Sequence, residues 1–258
     1  MTLEEYMRNP MGKGNASMPN RDAVKASLDQ KYNTFVSKYP ISYSVYKIRG
    51  TDDWYIHLII SSESARTNTY DVVFRFYNKN KSHGIKVEGI LNNYDIQLFS
   101  NSQSFMYTYA YAYNSQGLLV DCLRSKFNKI TLSTPPNTRN SYGIINYEKY
   151  IYFGAKHILT RIGLNKSSLS ATAIFKEVSL SDFKKRIRST EQIDHDYKKA
   201  DKELKFKKDH VGTPNRSDVK HGLVSPNILK PKKTVTKTRN TITMSVKRPM
   251  RGMKKKKG

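Results

Sequence analysis

The sequence predicts an α+β protein: a mostly antiparallel sheet with packed helices, followed by a charged helix and a disordered basic C-terminal tail. Three observations predict it. Between Ile41 and Tyr113 apolar residues recur at every second position, the period of a strand with one buried face. Around residues 21–38 and 147–162 they recur at helical spacing. The last forty residues, 219–258, hold thirteen Lys and Arg and no Asp or Glu, a composition that cannot bury enough apolar surface to fold alone.

Each element can be justified in chain order. Residues 1–19 read as an extended arm, because Pro10, Gly12, Gly14 and Pro19 interrupt any regular pattern. A helix is expected from Arg21 to Lys38, with Asn20 as its N-cap, Val24, Leu28, Tyr32, Phe35 and Val36 on one face, and Pro40 ending it. Strands are then expected around Tyr43–Ile48, with Trp54, Ile56, Leu58 and Ile60 lining one face of the next and Val72, Phe74 and Phe76 lining one face of another. Short strands follow at Ile85–Ile90 and Asp95–Phe99, and a last one at Phe105–Tyr113. Turn-rich stretches at 78–84 and 91–93 separate them, and connections this short imply antiparallel pairing in a five- or six-stranded sheet.

Leu118–Phe127 reads as a short helix and 131–141 as a loop. A helix is expected from Tyr147 to Ile162, capped by Asn146 and stopped by Gly163. A short apolar stretch lies at Leu169–Val178. From Leu180 to about Lys208 the pattern suits a charged helix, either solvated or packed on a neighbouring subunit. The expected division is an extended N-terminal arm (1–19), an α+β core domain (20–178), a charged helix (179–209) and a polycationic flexible tail (210–258).

Charge points to partners. The chain has 46 Lys and Arg against 21 Asp and Glu, a formal net charge of +25, and +13 of it sits in residues 219–258. With a mean hydropathy of −0.68, such a protein repels itself unless anions balance it, and nucleic acid is the polyanion that commonly does so. The candidate nucleic-acid-binding residues fall in four clusters: Lys230, Lys232 and Lys233; Lys237 and Arg239; Lys247, Arg248 and Arg251; and Lys254, Lys255, Lys256 and Lys257. Bases spaced along a flexible chain neutralise phosphates and read no base sequence. The alternative reading of the tail is a solubilising segment or a localisation signal.

A second signal is Tyr107, Tyr109, Tyr111 and Tyr113. On a strand they project from one face, where they would stack on bases or form a packed face or subunit contact, while Thr108, Ala110 and Ala112 leave the other face small.

The residues speak against catalysis. There is no Walker loop, and Gly12-Lys13-Gly14 precedes no strand–helix unit. The six histidines show no pair at metal-ligand spacing on a helix, and no cofactor or metal site is expected; His57 and His157 read as structural. The single cysteine, Cys122, excludes an internal disulfide and lies in an apolar run, as a core residue does. Asp71 and Glu88 are the carboxylates a metal-dependent nuclease would need, but no lysine stands two residues after Glu88. No apolar run reaches membrane-spanning length, and no membrane partner is expected.

The arm Asn9-Pro10-Met11-Gly12-Lys13-Gly14, the Tyr-rich strand core, the segments Tyr107–Leu123 and Ile144–Leu159 and the basic tail together resemble small virion structural proteins of tailed bacteriophages with AT-rich genomes. The resemblance covers residues 1–165 at most. It implies a structural or inner-capsid role near the portal, in contact with packaged DNA, other copies of the chain and other virion proteins, and so favours DNA over RNA as the polyanion. It also implies assembly in the host cytoplasm and no catalytic residues. The alternatives are an RNA-binding component of a ribonucleoprotein, such as a ribosome-associated protein, and a metal-dependent nuclease.

Overall fold

The structure is a computed structural model that describes residues 1–10, 20–63, 69–78, 89–127, 129–135, 146–189, 191–193, 195, 196, 198, 199 and 202. It divides into two units, Met1–Phe206 and Lys207–Gly258, and the second lies outside the described residues.

The first unit is an α+β body built on a five-stranded, mostly antiparallel mixed sheet. Helix α1, Leu3–Arg8, stands where the sequence reads as an extended arm. The glycines and prolines that suggested an arm begin only at residue 10. Upstream of them Thr2 and Glu5 form a reciprocal capping box, Glu5 N donating to Thr2 Oγ1 (3.2 Å) and Thr2 N to Glu5 Oε2 (2.9 Å). Leu3, Tyr6 and Met7 then fall on one buried stripe.

Helix α2 spans Arg21–Lys38, as the sequence predicts, and buries Leu28, Tyr32 and Phe35, with Val24 and Val36 at the margin. Asn20 holds the cap position in a left-handed conformation (φ 54°), which asparagine tolerates, but makes no side-chain capping bond.

Strands β1 (Ser42–Ile48), β2 (Trp54–Ser61), β3 (Thr69–Tyr77) and β4 (Asp95–Ser100) pair antiparallel in sequence order. The fifth strand, β5 (Phe175–Val178), pairs parallel to β1, giving the order β4-β3-β2-β1-β5. Short connections dictate antiparallel pairing for the first four strands only. The chain between β4 and β5 is long enough to carry the last strand back around the sheet. Residues 85–88 of the strand expected at Ile85–Ile90 lie outside the described residues, and Ile90 makes one isolated bridge to Asn165.

The two sheet faces differ in chemistry. Ile56, Leu58, Ile60, Val72, Phe74, Phe76 and Leu98 are fully buried on one of them. Against it lies α5, Lys149–His157, continued by a π-helical turn, Ile158–Ile162, that ends at Gly163 (φ +80°) as expected. Gly154 lets this helix approach closely: a Cβ there would stand 2.8 Å from Phe74 and 3.3 Å from Val72. Helix α2 covers α5 in turn, through Tyr32 and Phe35 on Phe153 (ring centroids 5.7 and 5.2 Å). The cap of α5 is Glu148, not Asn146.

The other face carries Tyr46, Tyr55, His57, Asp71, Val73, Arg75, Gln97 and Phe99. Phe105–Tyr109 forms a π-helical turn that runs into α3, Ala110–Ser115, and Asp121–Lys126 is a 3-10 turn. Helix α4, Lys129–Ser133, occupies the start of the stretch expected to be a loop. Phe127 packs on Phe99 (5.2 Å). Helix α6, Lys166–Ser170, precedes β5. The long charged helix expected from Leu180 is interrupted: α7 runs from Leu180 to Arg186, Ile187 turns extended at its end, and the described residues 191–193, 195, 196, 198, 199 and 202 are helical again. Rather than standing in solvent, α7 crosses this second face and sinks Phe183, fully buried, onto Tyr55 (4.3 Å) and Tyr46 (5.4 Å). Burying one such ring contributes about 2–3 kcal/mol.

Candidate functional site

The twelve clustered tail bases, Lys230 to Lys257, lie in the second unit, outside the described residues. The tyrosines do not, and their placement corrects the sequence reading. Phe105–Ser115 is helical, not a strand. At about 100° per residue a helix spreads every second residue around its circumference instead of lining them up. Tyr107 is 61% exposed, Tyr109 and Tyr111 are intermediate, and Tyr113 is fully buried. Tyr113 Oη shares a 2.9 Å hydrogen bond with Tyr6 Oη, and its ring packs edge-on against Phe105 (5.1 Å) and Tyr109 (6.4 Å). Of the four, Tyr107 offers the most surface to a base or a partner. Ala110 and Ala112, expected to leave room beside a sheet, are strong helix formers buried in the body.

The polar face of the sheet holds a network that sequence patterning does not reveal. Asp71, 2% exposed, sits at its centre. Its Oδ1 lies 2.9 Å from His57 Nε2, and its Oδ2 accepts from Asn101 Nδ2 (2.9 Å), Arg188 Nε (3.0 Å) and Arg188 N (3.1 Å). Arg188 also donates to the Thr69 carbonyl (2.9 Å). Burial alone raises the Asp71 pKa. The hydrogen bonds and charges of His57 and Arg188 outweigh it and hold the carboxyl below the usual carboxylate range. His57 stacks on Tyr46 (6.5 Å, 28°) and is itself buried. A carboxylate whose two oxygens already accept this many bonds has no lone pair to offer a metal or a substrate, so Asp71 acts here as a structural anchor. Glu88, its expected partner in a nuclease, lies outside the described residues. Among the described residues no group of three or more His, Cys, Asp or Glu is placed to hold a metal.

A second polar row borders the first. Arg75 donates to Asp53 Oδ2 through Nη2 (2.7 Å) and Nε (3.1 Å) and to Gln97 Oε1 through Nη1 (2.7 Å), and Gln97 Nε2 donates to Asp121 Oδ2 (2.9 Å).

Cys122 and His157 do not meet. Cys122 Sγ is 3.7 Å from Tyr55 Oη on the polar face, where burial pushes the thiol pKa up, away from a reactive thiolate. His157 belongs to α5 on the apolar face, with Nδ1 3.0 Å from Tyr32 Oη; burial, then the Arg161 charge, pushes its pKa down and favours the neutral ring.

The titratable group that sequence reasoning missed is Glu148. It is fully buried, accepts from Ile151 N (2.7 Å) and Ser102 Oγ (3.2 Å), and is pushed up to about 7 by burial. The available signal was a carboxylate three residues before Ile151 at a helix start, where it reads as part of the helix.

No family model, no curated protein and no solved structure matches the chain.

Proposed function

We propose that this protein is a non-enzymatic structural component of a phage virion that contacts packaged DNA through its basic C-terminal segment and neighbouring subunits through its folded body. One observation carries the reading: thirteen Lys and Arg with no acid across residues 219–258. That charge density suits a phosphate backbone, where each neutralised phosphate releases counterions. Repetition of the chain in an assembly multiplies weak contacts of this kind into firm attachment. The internal use of Asp71, His57 and Cys122 as packing and hydrogen-bonding groups supports a structural reading of the body.

The test is fluorescence anisotropy on duplex DNA, single-stranded DNA and structured RNA across a salt series. It compares the full chain with a full-length variant whose twelve clustered tail bases are replaced by Gln. The expected result is a large loss of affinity and a much flatter salt dependence, the slope falling by about 0.9 for each duplex phosphate that the tail no longer neutralises. Unchanged affinity and slope would remove the tail from the function. A marked preference for structured RNA over duplex would favour the ribonucleoprotein reading. Metal-dependent cleavage lost in Asp71→Ala would favour the nuclease.

A further inference from the structure

Helix α7 crosses the sheet from β5 toward β3, with Phe183 turned down onto Tyr46 and Tyr55. Beside Phe183 the helix carries Lys184, half-buried, and Lys185 and Arg186, both exposed. Lys185 is 79% exposed and reaches Asp182 at only 3.8 Å, an exposed pair of little strength. Arg186 lies over the Tyr46 ring (5.8 Å to the centroid). Tyr46 is the register partner of Lys176 across the β1–β5 pair, so the exposed Lys176 rises beside Arg186 from the same face. Arg49 closes the group from the end of β1. Its backbone N bonds the Val178 carbonyl (3.0 Å), its guanidinium reaches the Glu177 carbonyl (3.4 Å), and its charge acts on Asp182 together with those of Lys185 and Arg186. Lys176, Lys185, Arg186 and Arg49 thus share one stretch of surface, which also carries Asp182. Asp182 is already engaged by the Ser179 hydroxyl, which donates to it at 2.7 Å.

We propose that this surface, where α7 crosses the β1–β5 edge, is a second phosphate-binding site, on the folded body, for the nucleic acid that the tail contacts. The proposal rests on the functional reading above and adds a contact on the folded body to that of the tail. Bases held on a helix and a strand edge lose little conformational freedom on binding, so they set the register of the body against the polymer, and the tail bases add avidity. Charge complementarity selects the occupant. Cations dominate the surface, with Leu180 at the start of α7 an exposed apolar side chain beside them, whereas the centre of a protein interface is depleted of charge.

The experiment uses four full-length proteins on duplex DNA across a salt series: wild type, a surface variant (Lys176→Gln, Lys185→Gln, Arg186→Gln), the tail variant, and a control that removes the same charge from α2 on the opposite layer (Lys25→Gln, Lys31→Gln, Lys38→Gln). Thermal melting confirms that each is folded. The surface variant is expected to bind about three- to tenfold more weakly at 0.1 M salt, with a salt slope shallower by about 2 to 3, while the control stays within about twofold of wild type. A surface variant equal to wild type overturns the proposal. So does a control that loses as much, since net charge alone would then explain both. The two readings fail separately: a tail variant that binds like wild type removes the tail but leaves this surface, and a wild type that binds no nucleic acid removes both.

Discussion

Arg188 and Asp71 are 117 residues apart in sequence, and the Arg188 guanidinium and backbone amide both donate to one carboxylate oxygen, Oδ2, at 3.0 and 3.1 Å. The bond fastens the segment after α7 to the centre of β3. A second clasp is made by Asn101, whose Nδ2 donates both to Asp71 Oδ2 and to the Arg188 carbonyl (3.2 Å).

Arg188→Ala is therefore expected to destabilise the body by about 3 kcal/mol, because it leaves a buried carboxylate without the guanidinium that pairs with it. Arg188→Lys should recover less than half of that, since a single ammonium cannot serve both Asp71 and the Thr69 carbonyl as the guanidinium does. Denaturant midpoints measure both variants. Limited proteolysis after residue 187 should accelerate in Arg188→Ala, and an unchanged cleavage rate would mean that Phe183 and Ile187 hold the segment unaided.

Glu148 and Asp71 act on stability with opposite signs. Glu148 is raised to about 7 from 4.5, so between those pH values the folded state keeps a proton that the unfolded chain has released. Stability must then fall as pH rises through that window, by about 3 kcal/mol in total. Asp71 is held below 3.8, so its contribution is present above that pH and is lost as pH falls further. Melting temperatures across pH 2–8 should pass through a maximum near pH 4 to 5. Glu148→Gln keeps an acceptor for Ile151 N and removes the proton, so it should abolish the decline toward pH 7 and leave the acid limb in place.

Gly154→Ala tests the closest approach of α5 to the sheet. In an exposed helix this change stabilises by about 1 kcal/mol. Here the new methyl would meet Phe74 Cε2 at 2.8 Å, inside contact distance, with β2 and β4 flanking the strand that would have to move. A net loss of about 1–3 kcal/mol in thermal unfolding is expected, and any gain would show that the Phe74 ring can rotate away.

Tyr113 and Tyr107 should separate core from surface. Tyr113→Phe strands the buried Tyr6 hydroxyl and is expected to cost about 1–2 kcal/mol. Tyr107→Ala should change stability by no more than about 0.5 kcal/mol. A weaker affinity of Tyr107→Ala for single-stranded DNA at equal salt would assign this ring a stacking role, and an unchanged affinity would leave it as surface.

The elements legible in the sequence are those whose burial is one-sided and local. Helix α2 matches its expected bounds because a stripe of apolar residues and the following Pro40 define it without help from the rest of the chain. Strands β2 and β3 show their inner face as Trp54, Ile56, Leu58, Ile60 and Val72, Phe74, Phe76, since only one face of each is lined throughout by large apolar side chains. The stretch 105–115 was not legible. Alternating Tyr with Ala and Thr satisfies a strand period, and the helix wins because Phe105, Ala110, Ala112 and Tyr113 are all buried by segments distant in sequence. Helix α1 was hidden in the same way, its stripe of three residues being too short to read until Tyr147 Oη donates to the Met7 carbonyl at 2.9 Å.

The amino-acid sequence by itself determined the fold class, the strand faces, the ends of α2 and the position of Gly163, and it placed half of the net charge in the last forty residues. These follow from local periodicity, backbone conformational preference and composition, none of which needs a distant partner. Only the tertiary structure decided that β5 joins β1 in parallel, that α7 closes the polar face, that Asp71 is spent on His57 and Arg188, and that Lys176, Lys185, Arg186 and Arg49 share one surface. Each of these depends on groups far apart in the chain, where hydrogen-bond geometry and the exclusion of water select among pairings that the sequence leaves equivalent.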